Sequence, residues 1–201
     1  MTEAAARRVE LKRATRETTI DLSLDIDGTG KAQIATGIGF FDHMLDSLAR
    51  HARFDLTLRA EGDLHVDAHH TIEDVGIVLG QALDRALGDK RGLRRFADAT
   101  VPLDEALVQA VVDLSGRGHA SVDLPFGGPT IGGMPTEMVP HFLRSLAVEG
   151  RLTLHVRLLA GENDHHRAEA TFKALARALE IATRVDPRIA GEVPSTKGAL
   201  G

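Results

Sequence analysis

The sequence predicts an α+β fold, an α/β sandwich built from two βββαβα half-domains in tandem. Three observations predict it. His-His-x-x-Glu occurs twice, as His69-His70-Thr71-Ile72-Glu73 and as His165-His166-Arg167-Ala168-Glu169, the second copy 96 residues after the first. A second pair of segments runs in the same register: Phe41-Asp42-His43-Met44-Leu45-Asp46-Ser47-Leu48 matches Val139-Pro140-His141-Phe142-Leu143-Arg144-Ser145-Leu146. The succession of strand-like and helix-like periodicities also repeats. A period of this length is too long for a solenoid and indicates a duplicated domain.

In the first half, residues 8–14, 18–26 and 31–35 read as strands. Thr18 to Ile26 alternates apolar and polar positions, and Asp27-Gly28 is a hairpin turn signal. Residues 40–50 predict a helix, 54–59 a strand and 68–87 a longer helix ended by Gly88. The second half follows the same order. Residues 96–101, 106–114 and 119–124 predict strands, 138–148 a helix, 152–158 a strand and 164–184 a helix. In the long helices Leu79, Leu83 and Ala86 correspond to Leu175, Leu179 and Ala182, the spacing of a buried stripe. The expected units are residues 7–92, residues 93–186 and a tail, 187–201. Residues 125–135, rich in Gly and Pro, predict a loop, while residues 1–6 and the tail are expected to be weakly structured alone. The two sheets can pack through their helices or through their open faces; the pattern allows both.

Composition narrows the function. The chain has 201 residues, 43% apolar and 26% charged, which suits a soluble globular protein. A net charge of -5 with 3% aromatic residues and no Tyr or Trp argues against nucleic acid as partner. The absence of cysteine excludes disulfides, thiolate metal sites and a cysteine nucleophile, and fits a cytoplasmic setting. No apolar run approaches membrane-spanning length, and residues 1–10 lack the apolar core of a signal peptide.

The duplicated constellation is His43, His69, His70 and Glu73 with His141, His165, His166 and Glu169. A lone helical histidine is ordinarily a surface or satisfied core residue, but eight residues recurring in register point to metal. A carboxylate and an imidazole three or four residues apart share a helix face and can close on one ion. Adjacent helical residues diverge by about 100°, so His69 and His70 cannot easily serve the same ion. This suggests two metals, shared between halves or between protomers. Imidazoles and carboxylates without thiolate suit Mn, Fe, Ni or Zn better than Ca or Mg.

Arg95, Arg117, Lys173 and Lys197, with Ser195 and Thr196, form a second group. Arg95 lies in a basic run that a solvated surface would also explain, and Arg117 lies in a Ser-Gly-Arg-Gly turn. If these groups converge, they would hold a small phosphate or carboxylate. Glu17, between the first two strands, is either a solvated turn residue or a candidate acid.

Taken together, Phe41-Asp42-His43-Met44-Leu45, His69-His70-Thr71-Ile72-Glu73-Asp74, Arg94-Arg95-Phe96, Asp104-Glu105-Ala106, Ser115-Gly116-Arg117, His165-His166-x-x-Glu169 and Pro194-Ser195-Thr196-Lys197-Gly198 resemble the imidazoleglycerol-phosphate dehydratase family. The likeness runs from about residue 7 to residue 198. It implies a lyase of histidine biosynthesis that converts imidazoleglycerol phosphate to imidazole acetol phosphate. It also implies a ribosomal protein S5 domain 2-like fold, two Mn(II) ions per active site, sites shared between subunits and a homo-oligomer of twenty-four chains. Carried over by position, the metal ligands fall on His43, His69, His70, Glu73, His141, His165, His166 and Glu169. Substrate positions fall on Glu17, Arg95, Arg117, Lys173, Ser195 and Lys197, with the tail contributing to the active site. Glu17 is the candidate general acid or base. Ser47 departs from the Gln common in the family, and no N-terminal histidinol-phosphatase domain is expected. A dinuclear metallohydrolase and a non-catalytic metal-binding shell protein are the competing classes.

Overall fold

The computed structural model describes residues 7–200; residues 1–6, expected to be weakly structured, and Gly201 of the tail lie outside the described residues. The first half contains β1 (Arg8–Ala14), β2 (Thr18–Asp25), β3 (Ala32–Ala35), α1 (Gly39–Ala52), β4 (Asp55–Gly62) and α2 (His69–Leu87). The second contains β5 (Phe96–Leu103), β6 (Ala106–Asp113), β7 (His119–Asp123), a short hairpin of β8 (Thr130–Ile131) and β9 (Met134–Pro135), α3 (Met138–Glu149), β10 (Thr153–Ala160) and α4 (Asp164–Ala182).

Both halves build the same four-stranded sheet, in the order β1-β2-β4-β3 and β5-β6-β10-β7. In each, the first two strands form a hairpin, and the third runs parallel to the fourth through a crossover helix. The central strands bury every second residue: Ile20, Leu22 and Leu24 on β2, and Ala106, Val108, Ala110 and Val112 on β6. One face of each sheet is therefore packed and the other is open, as expected for largely antiparallel sheets.

The packed faces carry the helices, and the halves meet helix to helix, α1 on α4 and α2 on α3. Of the two arrangements the sequence allowed, the helix-to-helix one is found. The rings of Phe41 and Phe142 meet edge to face at 5.3 Å, and Phe142 stacks on Phe172 at 5.4 Å, so α1, α3 and α4 share one core. Two glycines let α2 come close to α3. A Cβ at Gly80 would lie 2.7 Å from Leu146 O and Gly150 N, and one at Gly76 would lie 3.1 Å from Ser145 Cβ. Such close backbone approach brings the functional ends of these helices together.

Residues 125–135 differ from expectation, because they contain the β8–β9 hairpin rather than loop alone. Two-residue strands are too short to leave a periodic signature, and their Gly and Pro content reads as turn. The tail is also more ordered than expected. It forms a 3-10 turn at Pro187–Ile189, and Gly92 N donates to Glu192 O at 2.8 Å.

Candidate metal centre

The metal-type residues sit where helices begin, and local sequence explains why the helices begin there. Asp67 Oδ1 accepts from the His69 amide at 2.7 Å, opening α2. Asn163 Oδ1 accepts from the amides of His165 (2.9 Å) and His166 (3.2 Å), opening α4. Asn163 is the N-cap of α4, and Asp67 acts from one residue before the N-cap of α2; both bonds satisfy amides that the first helical turn leaves unpaired. Next to α2, Gly62 closes β4, and only glycine fits there because Thr71 Oγ1 lies 2.0 Å from where a Cβ would be, which lets the helix start sit against the strand end.

Six of the eight residues gather into two clusters: His69, Glu73 and His141 in one, His43, His165 and Glu169 in the other, with candidate ligand atoms in each within 4.8 Å of one another. Each cluster crosses the junction between halves. The His/Glu pair on α2 meets a histidine of α3, and the pair on α4 meets a histidine of α1. Glu73 Oε1 is 3.3 Å from His141 Nε2, and Glu73 Oε2 is 3.8 Å from His69 Nε2. In the other cluster Glu169 Oε2 is 3.2 Å from His165 Nε2 and 3.4 Å from His43 Nε2.

This donor set fits a divalent transition metal. Two imidazoles and a carboxylate on one centre are an ordinary ligand set for such ions. Among the described residues, His141 Nε2 is buried and has no hydrogen-bond partner despite the nearby Glu73, an orphaned polar atom that a metal ion would satisfy.

His70 and His166 turn away from the clusters, as the divergence of neighbouring helical residues requires. The ring planes within each pair lie nearly perpendicular, at 82° for His69 and His70 and 86° for His165 and His166. Each outward histidine binds a carboxylate through Nδ1: His70 to Asp63 Oδ2 at 3.0 Å, and His166 to Glu105 Oε2 at 2.7 Å. These bonds raise the pKa of both imidazoles, and the bond from His166 draws Glu105 down to about 2. With Nδ1 bonded to the carboxylate, Nε2 is the ring nitrogen left to act as a ligand, the usual arrangement behind a metal-binding histidine. Glu17 approaches this nitrogen, its Oε1 lying 3.9 Å from His70 Nε2.

The basic residues divide into two places. Arg95 pairs through two nitrogens with Asp113, at 2.7 and 3.1 Å, and Nη1 donates to Pro194 O at 2.6 Å. Arg95 O accepts from Leu114 N at 3.1 Å, so the turn carrying Ser115 and Arg117 starts beside it. Ser195 and Lys197 follow Pro194 directly, and Ser195 Oγ accepts from the Lys197 amide at 3.2 Å. Lys173 lies elsewhere, on α4, with Nζ 2.7 Å from Glu169 Oε1. Burial pushes the Glu169 pKa up, but the bonds from Lys173 and His43 outweigh it and leave the carboxyl below its ordinary value.

The model of the imidazoleglycerol-phosphate dehydratase family matches residues 36–179, a span holding both clusters and both outward histidines. The chain belongs to this family. The dehydratase of Acidiphilium cryptum (strain JF-5) is 59% identical over 195 residues, covering 97% of this chain and all of the relative. That of Roseiflexus sp. (strain RS-1) is 56% identical over 197 residues, 98% of this chain and 99% of the relative. Among solved structures, the dehydratase of Staphylococcus aureus subsp. aureus N315 superposes with a TM-score of 0.81 at 36% identity, covering 89% of this chain and 99% of that one. The Pyrococcus furiosus enzyme in complex with (S)-C348 gives 0.82 at 37% identity, covering 94% of this chain and all of that one. Family membership makes the chain a dehydratase, and so a hydro-lyase of histidine biosynthesis.

Against that family background, the sequence had not singled out Asp63 or Asp67, nor a positioning role for Glu105. Asp63 and Glu105 serve their histidines from loops, seven and sixty-one residues away in sequence, and so leave no periodic pattern. The one available signal was the acidic Asp104-Glu105 pair at a hairpin turn. No helix among the described residues is long and apolar enough to cross a membrane.

Proposed function

We propose that the chain dehydrates imidazoleglycerol phosphate to imidazole acetol phosphate in a metal-dependent reaction, with two Mn(II) ions per active site. Dehydratase activity comes with the family; the metal dependence rests on one observation, two His-His-Glu clusters that each draw on both halves. His43, His165 and Glu169 would hold one ion, and His69, Glu73 and His141 the other. His70 and His166 present Nε2 outward and would complete these spheres in a further copy of the chain, within a homo-oligomer of twenty-four. The cysteine-free composition suits the cytoplasm.

When bound, the ions supply Lewis acidity toward the substrate's imidazole ring. The residues of the chain do the rest. Arg117, Ser195 and Lys197 bind the phosphate, with Arg95 fixing the segment that carries Ser195 and Lys197 through Pro194 O and offering its remaining N–H groups. Lys173 holds Glu169 in place and lends positive charge beside it. Glu17, exposed next to His70, accepts and returns protons as water leaves.

Loss of imidazoleglycerol phosphate is measured after chelation and again after adding Mn(II). Activity that disappears and returns supports this reading. Full activity in verified metal-free protein overturns the metal dependence. Hydrolysis of esters in place of dehydration would favour a metallohydrolase, and metal binding without turnover a shell protein. Chelation is also expected to break the particle into smaller symmetric units that Mn(II) reassembles, followed by light scattering.

A further inference from the structure

The two halves differ at the turn between their first two strands. In the first half this turn carries Glu17 and is held from several directions. Thr15 Oγ1 accepts from the amides of Glu17 (3.1 Å) and Thr18 (3.0 Å), and Glu17 O accepts from Asp63 N at 3.1 Å. Thr18 Oγ1 donates to Asp74 Oδ2, and the Arg13 guanidinium forms an ion pair with the same oxygen. Asp74 stands on α2 directly after Glu73, and its side chain is only 10% exposed. Its carboxylate thus ties both strands of the hairpin, β1 through Arg13 and β2 through Thr18, to the helix that carries His69, His70 and Glu73.

A buried carboxylate is a costly way to pack a helix on a hairpin, since desolvation opposes it unless every partner is in place. The second half shows that packing alone does not need it. Ala170, fully buried, occupies the position matching Asp74. The carboxylate on the second turn, Glu105, is consumed structurally: it accepts from the amides of Glu162 (3.2 Å) and Asn163 (2.8 Å) and from His166. Asp63 performs that service for His70 in the first half, so Glu17 has no such duty and is 54% exposed.

We propose that Asp74, through Thr18 and Arg13, is a positioning residue that holds the Glu17 turn in register with the metal-binding end of α2. The proposal rests on the reading of Glu17 as the proton carrier. The first turn is braced so that its carboxylate can act, whereas the second turn spends its carboxylate on structure.

The test uses the full-length, Mn(II)-loaded enzyme and measures kcat, KM, bound metal and Tm for Thr18→Val, Thr18→Ser, Asp74→Asn and Glu17→Gln, and for Thr18→Val and Asp74→Asn each combined with Glu17→Gln. Thr18→Val removes the bond to Asp74 at nearly constant volume. It is expected to lower kcat by about ten- to a hundredfold, the scale of a small misplacement of a reacting group, with KM and bound metal unchanged. Thr18→Ser, which restores the hydroxyl, is expected to recover most of the activity. In the Glu17→Gln background the same change should have almost no further effect, because a residue acting through Glu17 has nothing left to position. A near-normal kcat for Thr18→Val, or an equal fold loss with and without Glu17, overturns the proposal while leaving Glu17 as proton carrier. A near-normal kcat for Glu17→Gln overturns both. If Thr18→Val does not fold, Asp74→Asn in the two backgrounds decides by the same comparison.

Discussion

Glu73 Oε1 and His141 Nε2 lie 3.3 Å apart, although Glu73 belongs to α2 of the first half and His141 to α3 of the second. The mirrored contact joins Glu169 on α4 to His43 on α1 at 3.4 Å. Among the described residues neither half holds a complete three-residue cluster by itself, so the proposed metal binding would report directly on how the halves are docked.

Glu73→Gln and Glu169→Gln are each expected to weaken one class of metal site and spare the other. Removing an outer partner of a metal ligand commonly costs about ten- to a hundredfold in affinity, and a direct ligand should cost at least that. Calorimetric Mn(II) titration checks this. Wild-type stoichiometry and affinity in both variants would exclude these carboxylates as ligands.

Lys197→Ala is expected to raise KM with kcat little changed. A hydrogen bond to a charged group contributes about 1.5–3 kcal/mol, or roughly ten- to 150-fold in binding. Steady-state kinetics on metal-replete enzyme provide the measurement. An unaltered KM would remove this lysine from the phosphate site.

Gly80→Ala should destabilise the protein even though alanine is the better helix former. Its Cβ would meet backbone atoms of Leu146 and Gly150 at 2.7 Å, which forces α2 and α3 apart. The expected loss is about 1–3 kcal/mol, as for other overpacked sites. Metal affinity should fall at His69, Glu73 and His141 and hold at the other cluster. A raised Tm would contradict the close helix crossing.

Asp55 supplies a pH test away from the metal centre. Its carboxylate accepts from the amides of Lys31 (2.9 Å) and Thr29 (2.7 Å), and these bonds place its pKa below the ordinary 3.8. A depressed carboxyl pKa stabilises the fold above the unfolded value, and that contribution is lost as pH falls through the lower folded value. Asp55→Asn should therefore cost about 1 kcal/mol near neutrality, a figure already reduced for solvent screening. Denaturant titrations at several pH values should show the difference from wild type shrinking below about pH 4. A difference that is constant across pH would mean the charge contributes nothing.

Much of the architecture was legible because it is written in local periodicity. Residues 8–14 and 138–148 coincide with their observed elements to within a residue, and the stripes of Leu79 and Leu175 are buried as expected. The candidate ligands were legible because duplication printed them twice. Their division into two clusters was not, since the pairing of α1 with α4 and α2 with α3 is a long-range packing outcome. The separation of Lys173 from Arg95 was hidden for the same reason. Glu17 looked like any turn glutamate, because the carboxylate that ties its turn down, Asp74, lies on another element.

The crossing of both clusters over the junction has a consequence for how this enzyme can change. In a symmetric dimer of one half, every substitution would appear twice, once in each cluster. A single chain carrying two copies escapes that constraint. Asp74 can stand opposite Ala170, and an exposed carboxylate at Glu17 opposite a scaffolding one at Glu105, with neither change imposed on its twin. Covalent fusion has given each copy its own future while each still borrows a histidine from the other.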